Sequence, residues 1–164
     1  MSFSRLSERF LPWIAALVCT AGIAAPQEAD HEPLSSFPQS QLEIQSGGKR
    51  HELTVWVADT PSRRAQGLMF VTELRPLTGM LFVFSQPQPV NMWMKNTRIS
   101  LDMLFVSADG RVIRIAAKAR PESLATITSM GMVTGVIEIA GGEAERLGIH
   151  SGDRVIHPAF GASS

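Results

Sequence analysis

The run Trp93-Met94-Lys95-Asn96-Thr97, followed closely by Asp102, places an aromatic plate, a cation, an amide, a hydroxyl and a carboxylate within residues 93–102. That combination suits a sugar or a small anionic ligand. An indole face stacks on a ring, an amide and a carboxylate hydrogen-bond its hydroxyls, and a lysine meets negative charge. Trp93, Lys95, Asn96, Thr97 and Asp102 are therefore the candidate ligand-binding residues. The same residues have an architectural use. Asp102 stands in the apolar run LDMLFV (101–106), sharing a face with Leu104 and Val106. A buried carboxylate there needs backbone amides, or a cation such as Lys95, Arg98 or Arg114. On that reading the cluster pins a bend between strands, and the sequence leaves both readings open.

Other chemistries have weaker support. Glu138, in the apolar run VIEIA, is a second carboxylate that could join Asp102 as the acid–base pair of a hydrolase acting on an envelope polymer. Met92 and Met94, and Met130 and Met132, form Met-x-Met pairs whose thioethers suit Cu(I), although methionine is also a common core filler. His31, His51, His150 and His157 lack zinc-ligand spacing, so no metal site is assigned to them. No Gly-x-Ser-x-Gly elbow and no phosphate-cradling glycine loop is present, so a binding module is favoured over an enzyme and no cofactor is expected.

With a formal net charge of zero and 18% charged residues, the chain lacks the basic surface that gripping nucleic acid requires. Residues 1–25 read as an export signal: Arg5 and Arg9 precede an apolar stretch from Phe10 to Ile23, and Gly22-Ile23-Ala24 offers small residues for cleavage. The expected destination is the periplasm or the extracellular space, with no membrane span once the signal is removed. An uncleaved anchor is the alternative, but its apolar stretch is short of the ~20 residues of a span. A lipoprotein through Cys19 is another, with an ill-fitting valine before the cysteine. Cys19 is the only cysteine, so a processed chain would have no disulfide. Residues 26–40, rich in Pro, Ser and acids, read as a flexible lead to a single domain over 41–160.

The elements that would position these groups are short. QLEIQS (41–46) and HELTVWVAD (51–59) alternate around the turn GGKR, which predicts a hairpin. Thr60-Pro61 and Gly67 bracket a two-turn helix. GMLFVF (79–84) is a buried strand ended by SQPQP. LDMLFVSADGRVIRIAA (101–117) is a hairpin turning at Asp109-Gly110, and TGVIEIA (134–140) and GDRVIH (152–157) are further strands on either side of a short helix ending at Gly148. Many short strands and two short helices predict a mainly β fold, a sandwich or partly closed barrel.

GLMF (67–70), GMLFVF (79–84), WMKNT (93–97), LDMLFV (101–106), DGRV (109–112) and ERLGIHSGDRV (145–155) occur in an order that resembles the domain-of-unknown-function 192 family over roughly 51–157. The resemblance implies a jelly-roll-like β fold and an exported protein, and it brings site candidates but no reaction. Many members carry cysteines in the segment matching 119–131. This chain has none there, so no role for them is transferred.

Overall fold

The structure, a computed structural model, describes residues 31–161. The export signal, residues 26–30 of the lead and residues 162–164 lie outside the described residues. Among the described residues no helix is long and apolar enough to cross a membrane.

The domain is mainly β, a curled half-barrel sheet with two short helices. Its strands are β1 (Gln39–Ser46), β2 (Lys49–Ala58), β3 (Thr78–Gln88), β4 (Asn91–Met92), β5 (Leu101–Val106), β6 (Val112–Ala119), β7 (Ile127–Thr128), β8 (Val133–Ala140) and β9 (Arg154–Ile156); the helices are α1 (Pro61–Gln66) and α2 (Glu143–Leu147). Seven strands form one sheet in the order β6-β5-β8-β3-β2-β1-β9, and β4 pairs with β7 separately. All neighbours are antiparallel except β2 and β3, whose parallel pairing requires a crossover, supplied by α1 and residues 67–77.

Local chemistry accounts for the elements. Gly47 and Gly48 both hold positive φ (55° and 77°), so a two-residue turn joins β1 to β2 without strain. Thr60 caps α1 by accepting from the Arg63 amide (3.2 Å), Pro61 fills its first position, and Gly67 ends it. The prolines of SQPQP do not end β3 as expected. The strand runs on to Gln88, with its pairing to β8 broken between Val83 and Gln88, the irregularity at which a sheet tolerates proline.

The curl brings the two edge strands together. Arg111, ahead of β6, bridges Arg154 of β9, and the Val155 amide donates to the Gly110 carbonyl at 2.7 Å. Strand alternation then gives two apolar clusters. Leu42, Leu53, Leu81, Leu104, Ile137 and Val155, drawn from strands all round the sheet, fill the inside of the half-barrel. Met80, Phe82, Met103, Phe105 and Val136, from the central strands alone, face outward and are covered by Leu68, Val90 and Met94. The covering segments that follow α1 and precede β5 build the site.

The chain ahead of β1 is anchored to the domain. Phe37 is buried, and Gln66 pairs reciprocally with the backbone of Glu32, donating at 2.7 Å and accepting at 2.8 Å. Burial of one aromatic ring and these hydrogen bonds anchor the chain well before residue 41.

Candidate functional site

A cleft of about 180 Å³ opens between the end of α1 and the segment leading to β5. That is small beside the ~300–1,000 Å³ of pockets that enclose drug-sized ligands. Arg64, Gln66 and the turn Gly67–Met69 form one wall. Asn91, Met92, Trp93, Lys95 and Thr97 form the other, and Phe82 and Glu138 line it from the sheet beneath.

The wall from Asn91 to Thr97 is held by backbone. The Thr97 amide donates to the Met94 carbonyl (3.0 Å), closing a turn in which Asn96 has φ of 55°. Asparagine tolerates that left-handed conformation better than most residues. The Asn96 carbonyl accepts from the Phe70 amide (2.9 Å), and the Met94 amide and Thr97 carbonyl bond residues 123 and 122. Met94 is fully buried beneath the turn, whereas Trp93 is 53% exposed, with the Lys95 ammonium 5.7 Å from its ring centre. Lys95 forms no ion pair among the described residues. Arg64 is held by the carbonyls of Asp59 (2.7 Å) and Val83 (3.0 Å), with no carboxylate partner among the described residues.

Trp93, Lys95 and Thr97 therefore share one cleft. Asn96 is beside it, setting the turn, and its side-chain nitrogen lies 3.9 Å from the Met69 sulfur. Asp102 is not in the cleft. It is fully buried on the inner face, and its carboxylate accepts from three backbone amides: Lys118 (2.6 Å), Gly142 (2.9 Å) and Ala144 (2.9 Å). It ties β5 to β6 and caps α2, satisfying amides left open at the start of that helix. Placing Asp102 at the pocket mouth is corrected accordingly: strand alternation turns it inward.

The proposed Asp102–Glu138 acid–base pair is also corrected. Asp102 pairs with Ile139 and Met103 with Glu138, so the two carboxyl groups leave the sheet on opposite faces and share no cleft. The methionines fill core space: Met80, Met94 and Met103 are fully buried in the outer cluster, while Met130 and Met132 are exposed on the surface. Among the described residues no group of three His, Cys, Asp or Glu side chains is placed to hold a metal ion.

The residue that sequence reading placed on the wrong partner is Glu138. It is 3% exposed, its side chain makes no hydrogen bond or ion pair among the described residues, and it lines the cleft. Its neighbours across the strands are Met80 and Met103. Burial raises its carboxyl pKa to about 8. The signal was a glutamate in mid-strand among apolar residues; which surface it met depended on the covering segments.

Residues 42–157 match the DUF192 family, described as an uncharacterised ACR. Two solved structures are similar. A protein from Sinorhizobium meliloti 1021, named as a candidate transcription regulator, is 41% identical with a TM-score of 0.74, over 76% of this chain and 98% of that one. A protein of unknown function from Novosphingobium aromaticivorans DSM 12444 is 39% identical with the same TM-score, over 77% of this chain and 90% of that one. Among curated proteins none matches. With a family model matching across the β domain, the chain belongs to the DUF192 family.

Proposed function

We propose that this protein is an exported binding module of the cell envelope, whose cleft takes a sugar or a small anionic ligand. The observation that carries this reading is the meeting of Trp93, Lys95 and Thr97 at one concave surface over Glu138. Trp93 is half exposed while its neighbour Met94 is fully buried, and Lys95 forms no ion pair among the described residues. An aromatic plate and a free cation beside a partly apolar cleft are the parts of a small-ligand site. Trp93 stacks on the ligand, Lys95 meets its charge and Thr97 shapes the wall. Asn96 holds the turn that presents them, and Asp102 supports the sheet from its other side. Export rests on the apolar N-terminal stretch behind Arg5 and Arg9.

The test is calorimetric titration of D-glucuronate and D-glucose into the purified protein and into Trp93→Ala and Lys95→Ala. Millimolar or tighter binding of at least one probe is expected, weakened about tenfold or more by Trp93→Ala. Absence of binding by both probes, or binding indifferent to both substitutions, overturns the reading. Export is checked by N-terminal sequencing of protein recovered from the periplasm, which should begin at or near Ala25. Recovery only from the cytoplasm with Met1 intact would refute it.

A further inference from the structure

Glu138 is 3% exposed, its side chain makes no hydrogen bond or ion pair among the described residues, and it lines a cleft that opens to solvent. Among the described residues the side-chain polar atoms sealed from solvent without a partner are on His51 and Thr134, so the Glu138 oxygens reach the cleft, and a carboxyl this buried still calls for a hydrogen-bond partner. The core does not provide it. The strands on either side contribute Met80, Phe82, Met103 and Phe105 to this face, none of which can donate or accept well. The charged groups facing it across the cleft are Arg64, from α1, and Lys95, from the segment before β5. Arg64 is engaged by two carbonyls.

Building on the proposed ligand site, we propose that Glu138 is its floor: a neutral carboxylic acid that donates a hydrogen bond to an oxygen of a small organic acid, while Lys95 holds that ligand's carboxylate at the rim. The ligand class follows from the two ends of the cleft. One end offers a fixed proton and the other a positive charge, so the matching molecule has a hydroxyl or carbonyl oxygen at one end and a carboxylate at the other. Sugar acids and hydroxy acids have that form. A neutral sugar satisfies Glu138 but leaves Lys95 without its counter-charge.

The arrangement couples binding to a proton. Burial keeps Glu138 protonated up to about pH 8. Above that the floor loses its donor and gains a charge that repels the ligand's carboxylate, so the dissociation constant rises tenfold per pH unit. Glu138→Gln, which cannot ionise, tests whether the break belongs to Glu138.

The experiment measures D-glucuronate and D-glucose binding between pH 6 and pH 9.5 for the wild type, Glu138→Gln and Glu138→Leu. Thermal unfolding confirms that each variant is folded. The wild type is expected to prefer glucuronate about tenfold over glucose and to weaken above pH 8. Glu138→Gln keeps a donor and cannot ionise, so binding stays within about threefold of wild type at pH 7 and the loss at high pH disappears. Glu138→Leu binds at least about tenfold more weakly throughout. A Glu138→Gln profile that still breaks near pH 8, or unchanged affinity in Glu138→Leu, overturns the role of Glu138. A preference for glucose overturns the ligand class. If the wild type binds but only the Trp93 and Lys95 substitutions matter, this inference fails while the ligand site stands; if the wild type binds neither probe, both fail.

Discussion

Asp102 and Glu138 stand one register step apart on the neighbouring strands β5 and β8 and leave the sheet on opposite faces. One carboxylate is saturated by three backbone amides; the other has no partner among the described residues and lines the cleft. Equal burial thus gives two opposite chemistries, and substitutions at the two sites should separate them.

Replacing Asp102 by alanine strands the amides of Lys118, Gly142 and Ala144, two of which belong to the start of α2. The Ala144 amide is buried and the other two are part-buried, and a buried unpaired group costs ~1–3 kcal/mol, so Asp102→Ala should lose ~2–3 kcal/mol of stability by urea unfolding. Asp102→Asn retains one acceptor oxygen and should lose roughly half as much. A loss below ~1 kcal/mol for alanine would mean that water replaces the carboxylate.

Glu138 makes stability fall as pH rises. Its carboxyl titrates near 4.5 in the unfolded chain and near 8 in the folded one, so between those values the native state binds the extra proton. Stability from this group is complete below pH 4.5, declines by up to ~1.4 kcal/mol per pH unit, and levels off above pH 8. Half-buried His157, its pKa lowered by desolvation, acts with the opposite sign below about pH 6.5. The difference between wild type and Glu138→Gln therefore isolates the glutamate. Urea midpoints at pH 5 and pH 8 should converge for the wild type relative to Glu138→Gln at the acid end and diverge at the basic end. A constant difference would place the Glu138 carboxyl in contact with water.

Gly79 lets β3 approach β8 where Glu138 resides. A Cβ at Gly79 would lie 2.2 Å from the Glu138 carbonyl oxygen, and backbone cannot swing aside as a side-chain tip can. Gly79→Ala should cost more than ~3 kcal/mol or prevent folding, measured by thermal unfolding of soluble protein. Gly148, which ends α2 with φ of 72°, has nothing near it. There alanine should cost only ~1–2 kcal/mol, the penalty of the left-handed conformation. Similar losses at both positions would mean that the sheet relaxes around Gly79.

What the sequence disclosed follows from how local each signal is. Thr60, Pro61 and Gly67 mark α1 because capping acts within one turn, and Gly47-Gly48 marks the first hairpin because the turn itself needs positive φ. The inward direction of Asp102 was legible from alternation with Leu104 and Val106. Its neighbourhood to Trp93 in the chain suggested a shared pocket, and a single reversal between residues 96 and 101 separates them. The pairing of Glu138 with the cleft was not legible, because it depends on the segments after α1 and before β5 folding over the same outer face. Strands β4 and β7, two residues each, are too short to carry a period, and they frame that face.

The segment 93–97 offers the sharpest separation of architecture from function. The turn is fixed by main-chain hydrogen bonds from Met94, Asn96 and Thr97, and by the left-handed conformation of Asn96. If that backbone alone pins the bend, Asn96→Gly should be nearly neutral and Asn96→Ala should cost about 1 kcal/mol, the conformational penalty. Lys95 and Trp93 lie outside this scheme: the ammonium rests over an exposed indole and pairs with no carboxylate among the described residues. An exposed cation–π contact is worth ~0.5–1 kcal/mol, so Lys95→Ala should change stability by no more than that. A larger loss in Lys95→Ala would make the lysine a brace for the bend and leave the ligand reading without its cation. A loss within that limit, together with the Asn96 pair behaving as stated, leaves Trp93 and Lys95 with no architectural duty to explain their place at the cleft.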